Sequence, residues 1–358
     1  MSNEIELKLL IKYDDVAKLH SHPAIQKRMI SEPLTRQLVS TYYDTPDLDL
    51  LHKRINLRVR HMSGGWFQAV KGTGQSIAGL HQRMEWEDVI SGDRPDFDKI
   101  REPSLRRIFA DKRLRESLSP IFVTDVQRTE WHLSYADGTE IEVALDFGQL
   151  EVKEKTETIS EIELELKQGH TWRLYELAVE LQLDIPLWIE NVSKAERGYR
   201  HYTPTSLSVS HARTISPLAS STPQSTLQAL GLECLRQIQA NQEPALLKDK
   251  EATRQMHQAA ILLIMGFDLF HCNEAKLLTD IRWFERLTGQ TLHWHEAKEA
   301  MLAQLSLTTD INRIEEELHQ QQCEQYRRLK NAINSQRYHG FLLRLGFFFT
   351  KLSNENAA

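Results

Sequence analysis

The segment Glu4-Ile5-Glu6-Leu7-Lys8 is nearly repeated further along the chain as Glu161-Ile162-Glu163-Leu164-Glu165-Leu166-Lys167. Read as strands, Glu4 and Glu6 share one face, as do Glu161, Glu163 and Glu165, with neighbouring side chains about 6.6 Å apart. Glutamate is a poor strand former. Two such charges repel by about 2.5 kcal/mol at an effective dielectric near 20, so a partly enclosed carboxylate face calls for a compensating cation. The opposite face is Ile and Leu, the alternation of a half-buried antiparallel strand. That alternation also describes any strand at a sheet surface. The second acidic copy, and the basic strands between the two, argue for a site instead.

Those basic strands follow the same rule. Arg58 and Arg60 share a face with Leu57 and Val59 opposite, and Lys71 closes Phe67-Gln68-Ala69-Val70-Lys71. Arg83 shares a face with Glu85, Arg128 with Glu130, and Glu140 and Glu142 with Asp146. The signs segregate by strand, so a closed sheet would set acidic and basic walls against each other across a lumen. Such a lumen suits a polyphosphate with a divalent metal. Arg offers phosphate a forked donor and Lys a compact charge, while Mg²⁺ or Mn²⁺ takes hard oxygen ligands from carboxylates, water and phosphate. Phosphoryl transfer then needs positioning and charge stabilisation, with a metal-activated water attacking in line.

The elements that must hold these residues are legible from periodicity. Residues 4 to about 200 read as short alternating strands, including Asn56 to His61, Trp66 to Gly72, His81 to Asp88, Gln127 to Tyr135 and Thr139 to Phe147. Ala136-Asp137-Gly138 forms a hairpin turn. Helices are predicted near Asp14 to Leu19, Ser104 to Ser117 and His170 to Leu183, which makes an α+β unit on a mainly antiparallel sheet. Residues 204–226, rich in Ser, Thr and Pro, read as a linker. From Leu227 the period turns helical, with Ser225 or Thr226 as the cap. Helices follow at about 247–270, 274–288, 293–305, 309–334 and 337–351, an all-α bundle.

Composition narrows the classes. The chain has 358 residues and a formal charge of −6, which argues against a general nucleic-acid binder. No basic region followed by an apolar stretch opens the chain, and the run Ala259 to Phe267 is too short to span a bilayer, so a cytoplasmic protein without membrane contact is expected. Cys234, Cys272 and Cys323 lack the close spacing of a zinc site or a disulfide framework.

The ordered set Glu4-x-Glu6-x-Lys8, Arg58-x-Arg60, Lys71, Arg83-x-Glu85, Arg128, Asp146, Glu161-x-Glu163-x-Glu165 and Ser193-Lys194 resembles the CYTH superfamily, the triphosphate tunnel metalloenzymes. The stretches Tyr42-Tyr43-Asp44-Thr45-Pro46-Asp47, Gly79-Leu80-His81-Gln82-Arg83 and Ser193-Lys194-Ala195-Glu196-Arg197-Gly198-Tyr199 are similar to those of bacterial inorganic triphosphatases in which a CHAD domain follows the CYTH domain. The resemblance implies a closed antiparallel eight-stranded β tunnel over residues 1–203 and a degenerate or truncated CHAD-like bundle over 227–358. It also implies hydrolysis of inorganic triphosphate to diphosphate and phosphate with Mg²⁺ or Mn²⁺. Glu4 and Glu6 would be metal ligands, joined by Glu163 and either Glu161 or Glu165. Lys8, Arg58, Arg60, Lys71, Arg83, Arg128 and Lys194 would hold phosphates. Lys8, Glu85 and Asp146 would serve the chemistry, the last two as metal-site, water-orienting or Arg-pairing groups. Arg197 would bind in the tunnel or brace the closing helix, and Lys167 would lie beyond the lumen. Residues 227–358 hold 15 Lys and Arg against 16 Asp and Glu, without the basic excess of a polyphosphate binder, so a structural or dimerising bundle is an equal reading.

Other activities fit the same tunnel: hydrolysis of thiamine triphosphate, cyclisation of ATP as in class IV adenylate cyclases, or polyphosphate binding without turnover. A reader of an organic group would need aromatic contacts at the mouth, for which Trp66, Phe67 and Trp86 are the candidates, each more often a core residue. Five glutamates facing the lumen argue against a pure anion binder. His81 and His201 read as hydrogen-bonding histidines, Glu315-Glu316-Glu317 as a solvated helix face, and His293 and His295 as too closely spaced to share a helix face.

Overall fold

The computed structural model describes residues 2–72, 74–203, 207–215, 222–304 and 311–355. Contacts between Cα atoms divide the chain into two compact units, Met1–Thr205 and Ser206–Ala358.

The first unit is built on ten strands: β1 (Ser2–Ile11), β2 (Leu34–Asp44), β3 (Ile55–Met62), β4 (Gly65–Gly72), β5 (Gln75–Ile77), β6 (Leu80–Ile90), β7 (Ser119–Ser134), β8 (Glu140–Val152), β9 (Lys155–Gln168) and β10 (Leu187–Ile189). Eight of them close a ring in the order β1-β9-β8-β7-β2-β3-β4-β6, sealed by the β1–β6 pair, and β5 and β10 extend it at the edges. Every pairing is antiparallel. Closure leaves no long open edge to satisfy. The expected hairpin turn joins β7 to β8, with Gly138 at φ +82, a left-handed value that suits glycine.

Alternation then sorts the side chains. Odd-numbered Leu57 and Val59 point outward into a cluster with Val70, Trp86, Leu105 and Phe109, under the helices Pro103–Phe109 and Lys112–Ser117. Asp111 caps the second of these and divides what reads as one helix in sequence into two. Trp86 is thus a core residue, with Trp66 packed against the same cluster. The helix Trp172–Gln182 covers β1 and β9 outside.

The barrel interior is not uniform. At one end Leu38, Tyr42, Phe122, Val126, Leu150 and Ile159 meet Ala195 and Tyr199 of the helix Lys194–Tyr202 in an apolar plug. The other end is charged. β7 and β8 run further than the charge pattern indicates because their extra residues, among them Phe122 and Leu150, line this plug.

The second unit comprises the helices Pro223–Ala240, Gln242–Leu246, Lys250–Leu269, Ala275–Gln304, Ile311–Ile333 and Gln336–Glu355, around a core that includes Phe267, Phe284, Tyr338, Phe341 and Phe349. Two expectations are corrected. Thr222 is the first cap, its Oγ1 accepting from the Ser225 amide at 3.1 Å, because Pro223 suits the first helical position. The two helices expected at 274–288 and 293–305 are one helix over the described residues, Ala275–Gln304, since Thr288 and Thr291 donate back to the Phe284 and Leu287 carbonyls at 2.9 Å each. Glu315, Glu316 and Glu317 are exposed. No helix among the described residues is long and apolar enough to cross a membrane.

Candidate functional site

Even-numbered residues of β1 point into the charged half of the barrel, and the register carries the pattern to both neighbours. Lys8 lies opposite Glu163 and Glu6 opposite Glu165 on β9, while Glu4 lies opposite Arg83 and Glu6 opposite His81 on β6. Lys71 of β4 faces Glu85 of β6, and Arg128 of β7 faces Asp146 of β8. The two acidic copies are therefore adjacent strands of one wall. Signs interleave across neighbouring strands instead of segregating into opposed walls, because a carboxylate removed from water needs a cation within contact distance.

These side chains line a cavity of about 350 Å³, bordered by nine basic and eight acidic residues. The predicted residues Glu4, Glu6, Lys8, Arg58, Arg60, Lys71, Arg83, Glu85, Arg128, Glu163, Glu165 and Lys194 all border it. Asp146 and Glu161 lie just behind, each with no exposed surface. Apolar contributions come from Met62, Ala195 and the half-polar Tyr42.

Ion pairs knit the wall together. Arg83 donates to Glu4 at 2.7 Å and to Glu6 at 2.6 Å, and Lys71 reaches Glu4 at 2.7 Å and Glu85 at 3.0 Å. Arg58 makes longer approaches, 3.7 Å to Glu85 and 3.4 Å to Glu87. Lys8 touches Glu6 at 3.1 Å and also pairs with Glu163. Arg128 forks onto both oxygens of Asp146 at 2.6 Å and donates to Glu163 at 2.5 Å. Lys194 sits among Glu161, Asp146 and Glu163 at 2.5, 2.7 and 2.9 Å. One carboxylate oxygen from each of those three acids lies within 4.8 Å of the others, an arrangement that could hold a metal ion.

Electrostatics separates the acids. Burial alone would raise them all. At Glu163 it is outweighed by Lys194, Lys8 and Arg128, which hold its carboxyl well below the usual range. Burial is likewise overcome at Asp146 by Arg128 and Lys194, which bring it down to about 2, and at Glu4 by Lys71 and Arg83. Glu165 goes the other way: burial, aided by Glu142 and Glu4, raises it against the single cation Lys167. Lys8 keeps a raised pKa because Glu163 and Glu6 outweigh its burial.

Arg60 is the exception among the cations. Its Nε donates to the Ser40 hydroxyl at 2.9 Å, and among the described residues it has no carboxylate partner. Burial, with Arg58 and Arg128 nearby, pushes its pKa down to about 10. That position has a deficit of negative charge.

Lys167 sits differently from the sequence reading, and Arg197 takes the second of the two places expected for it, as a brace of the closing helix. Lys167 borders the cavity, 2.8 Å from Glu165 and 3.3 Å from Glu142, because the alternation of β9 continues through it. Arg197 does not border it, but fastens its helix to β9 through Glu157 Oε1 at 2.6 Å, the Thr158 carbonyl at 2.7 Å and Glu161 at 3.1 Å. Arg36 and Glu87 also line the lumen, although the charge pattern did not single them out. Glu87 continues the Arg83–Glu85 face and was readable by parity. Arg36 pairs with Glu130 and sits alone in an otherwise uncharged stretch of β2. His81 is buried and bonds the Glu190 carbonyl at 3.0 Å, and His201 pairs with Glu157.

A CYTH domain model matches residues 2–199 and a CHAD domain model matches residues 229–358. The chain is 35% identical over 201 residues to the inorganic triphosphatase of Haemophilus influenzae, an alignment covering 56% of this chain and 55% of that one, so it spans about half the length of the curated relative. Among solved structures it is similar to a Hippeastrum protein described as a candidate adenylyl cyclase with a dominant triphosphatase activity, at 16% identity and a TM-score of 0.41. That likeness covers 55% of this chain and 96% of the other. A Pyrococcus horikoshii protein matches at 18% identity and a TM-score of 0.34, over 55% and 99%.

Proposed function

The chain belongs to the CYTH domain family, and from that premise we propose that it hydrolyses inorganic triphosphate to diphosphate and phosphate in a metal-dependent reaction. The observation that carries this reading is the lumen of nearly balanced charge, with nine basic and eight acidic lining residues. A bare anion binder would hold an excess of cations. A balanced lumen instead matches a ligand that brings its own cations, as a metal–triphosphate complex does. The 35% identity to an inorganic triphosphatase supports the same substrate.

The donor set fits a hard divalent ion, being all carboxylate oxygen. Glu4 and Glu6 on one side, and Glu163 with Glu161 and Asp146 on the other, would hold Mg²⁺ or Mn²⁺. Glu161 is favoured over Glu165 because it converges with Glu163 and Asp146. When bound, such an ion screens phosphate charge and acidifies a water for in-line attack. The chain's own residues do the rest. Arg60, with no carboxylate partner among the described residues, offers its guanidinium to a phosphate group, and Arg58, Lys71, Arg83, Arg128 and Lys194 exchange part of their carboxylate contacts for phosphate oxygens. Glu85 orients Arg58 and Lys71, and Asp146 holds Arg128 in a forked geometry aimed at the lumen. Lys8, held between Glu6 and Glu163, would offer its ammonium to phosphate oxygens on which negative charge builds up.

The lining favours an all-phosphate substrate over thiamine triphosphate or ATP, because Tyr42 supplies its sole aromatic surface among the described residues. Phosphate release from tripolyphosphate, thiamine triphosphate and ATP, each with Mg²⁺ and with Mn²⁺, tests the reading. Tripolyphosphate should turn over fastest and chelation should abolish release. Glu6→Gln should lower turnover by about 100-fold or more, the scale of a lost transition-state electrostatic contact. Absence of release from the wild-type chain, or undiminished release from Glu6→Gln, overturns the proposal.

A further inference from the structure

The helix Lys194–Tyr202 carries a lumen cation at its first residue and a phenol at the far side of the apolar plug. The Tyr199 hydroxyl donates to Asp44 Oδ2 at 2.8 Å. Asp44 has no exposed surface and lies at the end of β2. Its carboxylate is already fixed by the chain: Oδ1 accepts from the Thr45 and Leu50 amides at 2.7 and 2.9 Å, and Oδ2 from the Leu51 amide at 3.0 Å. Three backbone donors make it a rigid acceptor, so the phenol is anchored to an immobile point on the barrel. Burial, and then Asp44 itself, raise the Tyr199 pKa, which keeps the hydroxyl a donor.

The helix has two fastenings at different places on the ring. Arg197 ties it to β9, and Tyr199 ties it to the end of β2. Between them Gly198 lies against Phe122, where a Cβ would come within 2.4 Å of the ring. Phe122 in turn stacks on Tyr42, with ring centroids 4.5 Å apart. The helix is therefore seated at close quarters, and its depth decides where the Lys194 ammonium falls among Asp146, Glu161 and Glu163.

We propose that Asp44 and Tyr199 form a buried clamp whose function is to set the depth of Lys194 in the lumen, making both positioning residues for the site. The clamp gives a role to a buried carboxylate at the end of β2 that is not itself part of the cavity lining. Removing the hydroxyl frees the helix to shift while leaving the aromatic packing in place.

The proposal rests on the triphosphatase reading for its kinetic arm, and a chemical arm stands apart from it. In the full chain, Tyr199→Phe should expose Lys194 to an amine-acylating reagent about tenfold faster, as read by mass spectrometry, with labelling of Lys8 unchanged. That size is what a lost hydrogen bond to a charged acceptor allows. With tripolyphosphate, kcat should fall about tenfold, and Tyr199→Phe should add nothing further in a Lys194→Ala background. Asp44→Asn, whose one side-chain oxygen cannot accept both from the Thr45 and Leu50 amides and from the Tyr199 hydroxyl, should move both measurements in the same direction as Tyr199→Phe. Unchanged Lys194 labelling in Tyr199→Phe overturns the clamp, as does equal acceleration at Lys8 and Lys194, which would report general loosening. Losses that multiply with Lys194→Ala also overturn it. Absence of turnover in wild type with selective Lys194 labelling in Tyr199→Phe would refute the activity and uphold the clamp.

Discussion

At the scale of single residues, the lumen is a set of buried charges in which each carboxylate is held by a cation, and Arg60 is left without a carboxylate among the described residues. Buried ion pairs are weak contributors to stability, since desolvation offsets most of their attraction, so this many of them point to a functional demand. Arg60 gives the sharpest test. Burial and two neighbouring arginines already lower its pKa to about 10, so the folded chain is strained by its charge. Arg60→Ala should raise KM for tripolyphosphate by about 10- to 100-fold, the worth of a charge-assisted hydrogen bond. Its thermal midpoint should stay level or rise. A lowered midpoint with unchanged KM would show Arg60 to be a packing residue. The contrast between Glu163 and Glu165 belongs here too. Two residues apart on one strand, they differ because Glu163 meets three cations whereas Glu165 meets one cation and two acids.

At the scale of elements, strand alternation makes the outward and inward faces, and the helix Lys194–Tyr202 turns the ring into a pocket closed at one end by an apolar plug. Close seating of that helix requires a residue without Cβ at Gly198, where the nearest atoms of Phe122 lie 2.4 to 2.6 Å from the position a Cβ would take. Phe122 is itself confined by Tyr42 and Tyr199, so it has little room to yield. Gly198→Ala should destabilise the chain by about 1–3 kcal/mol, the usual cost of overpacking, despite alanine's better helix propensity. Urea unfolding read by circular dichroism checks this, and a stabilised variant would mean the helix sits further from β7. Parity within elements was readable in advance: Glu87, like Lys167, follows from continuing a known strand by two residues. The continuity of the helix Ala275–Gln304 was not, because a polar Thr-Gly-Gln-Thr run signals a break locally while the threonine hydroxyls are in fact satisfied by the helix's own carbonyls.

At the scale of the molecule, every residue lining the charged cavity belongs to the unit Met1–Thr205. A shortened chain of residues 1–205 should therefore keep kcat for tripolyphosphate within about twofold of the full chain, a difference of about 0.4 kcal/mol in barrier. A loss of tenfold or more at intact far-ultraviolet circular dichroism would assign the helical unit a part in turnover. The sequence by itself determined which side chains alternate, which strands carry charge and that a helical unit follows, because these depend on local period and residue type. It did not determine that the strands with acidic repeats are neighbours, that cations interleave with them, or that Asp146, Glu161 and Glu163 converge on Lys194. Those follow from register and closure: pairing β1 with both β9 and β6 fixes which charge meets which around the ring, and no local pattern encodes a partner that lies from 31 to 155 residues away. The clamp from Asp44 to Tyr199 is of the same kind, since only the folded barrel brings the end of β2 to the helix that closes it.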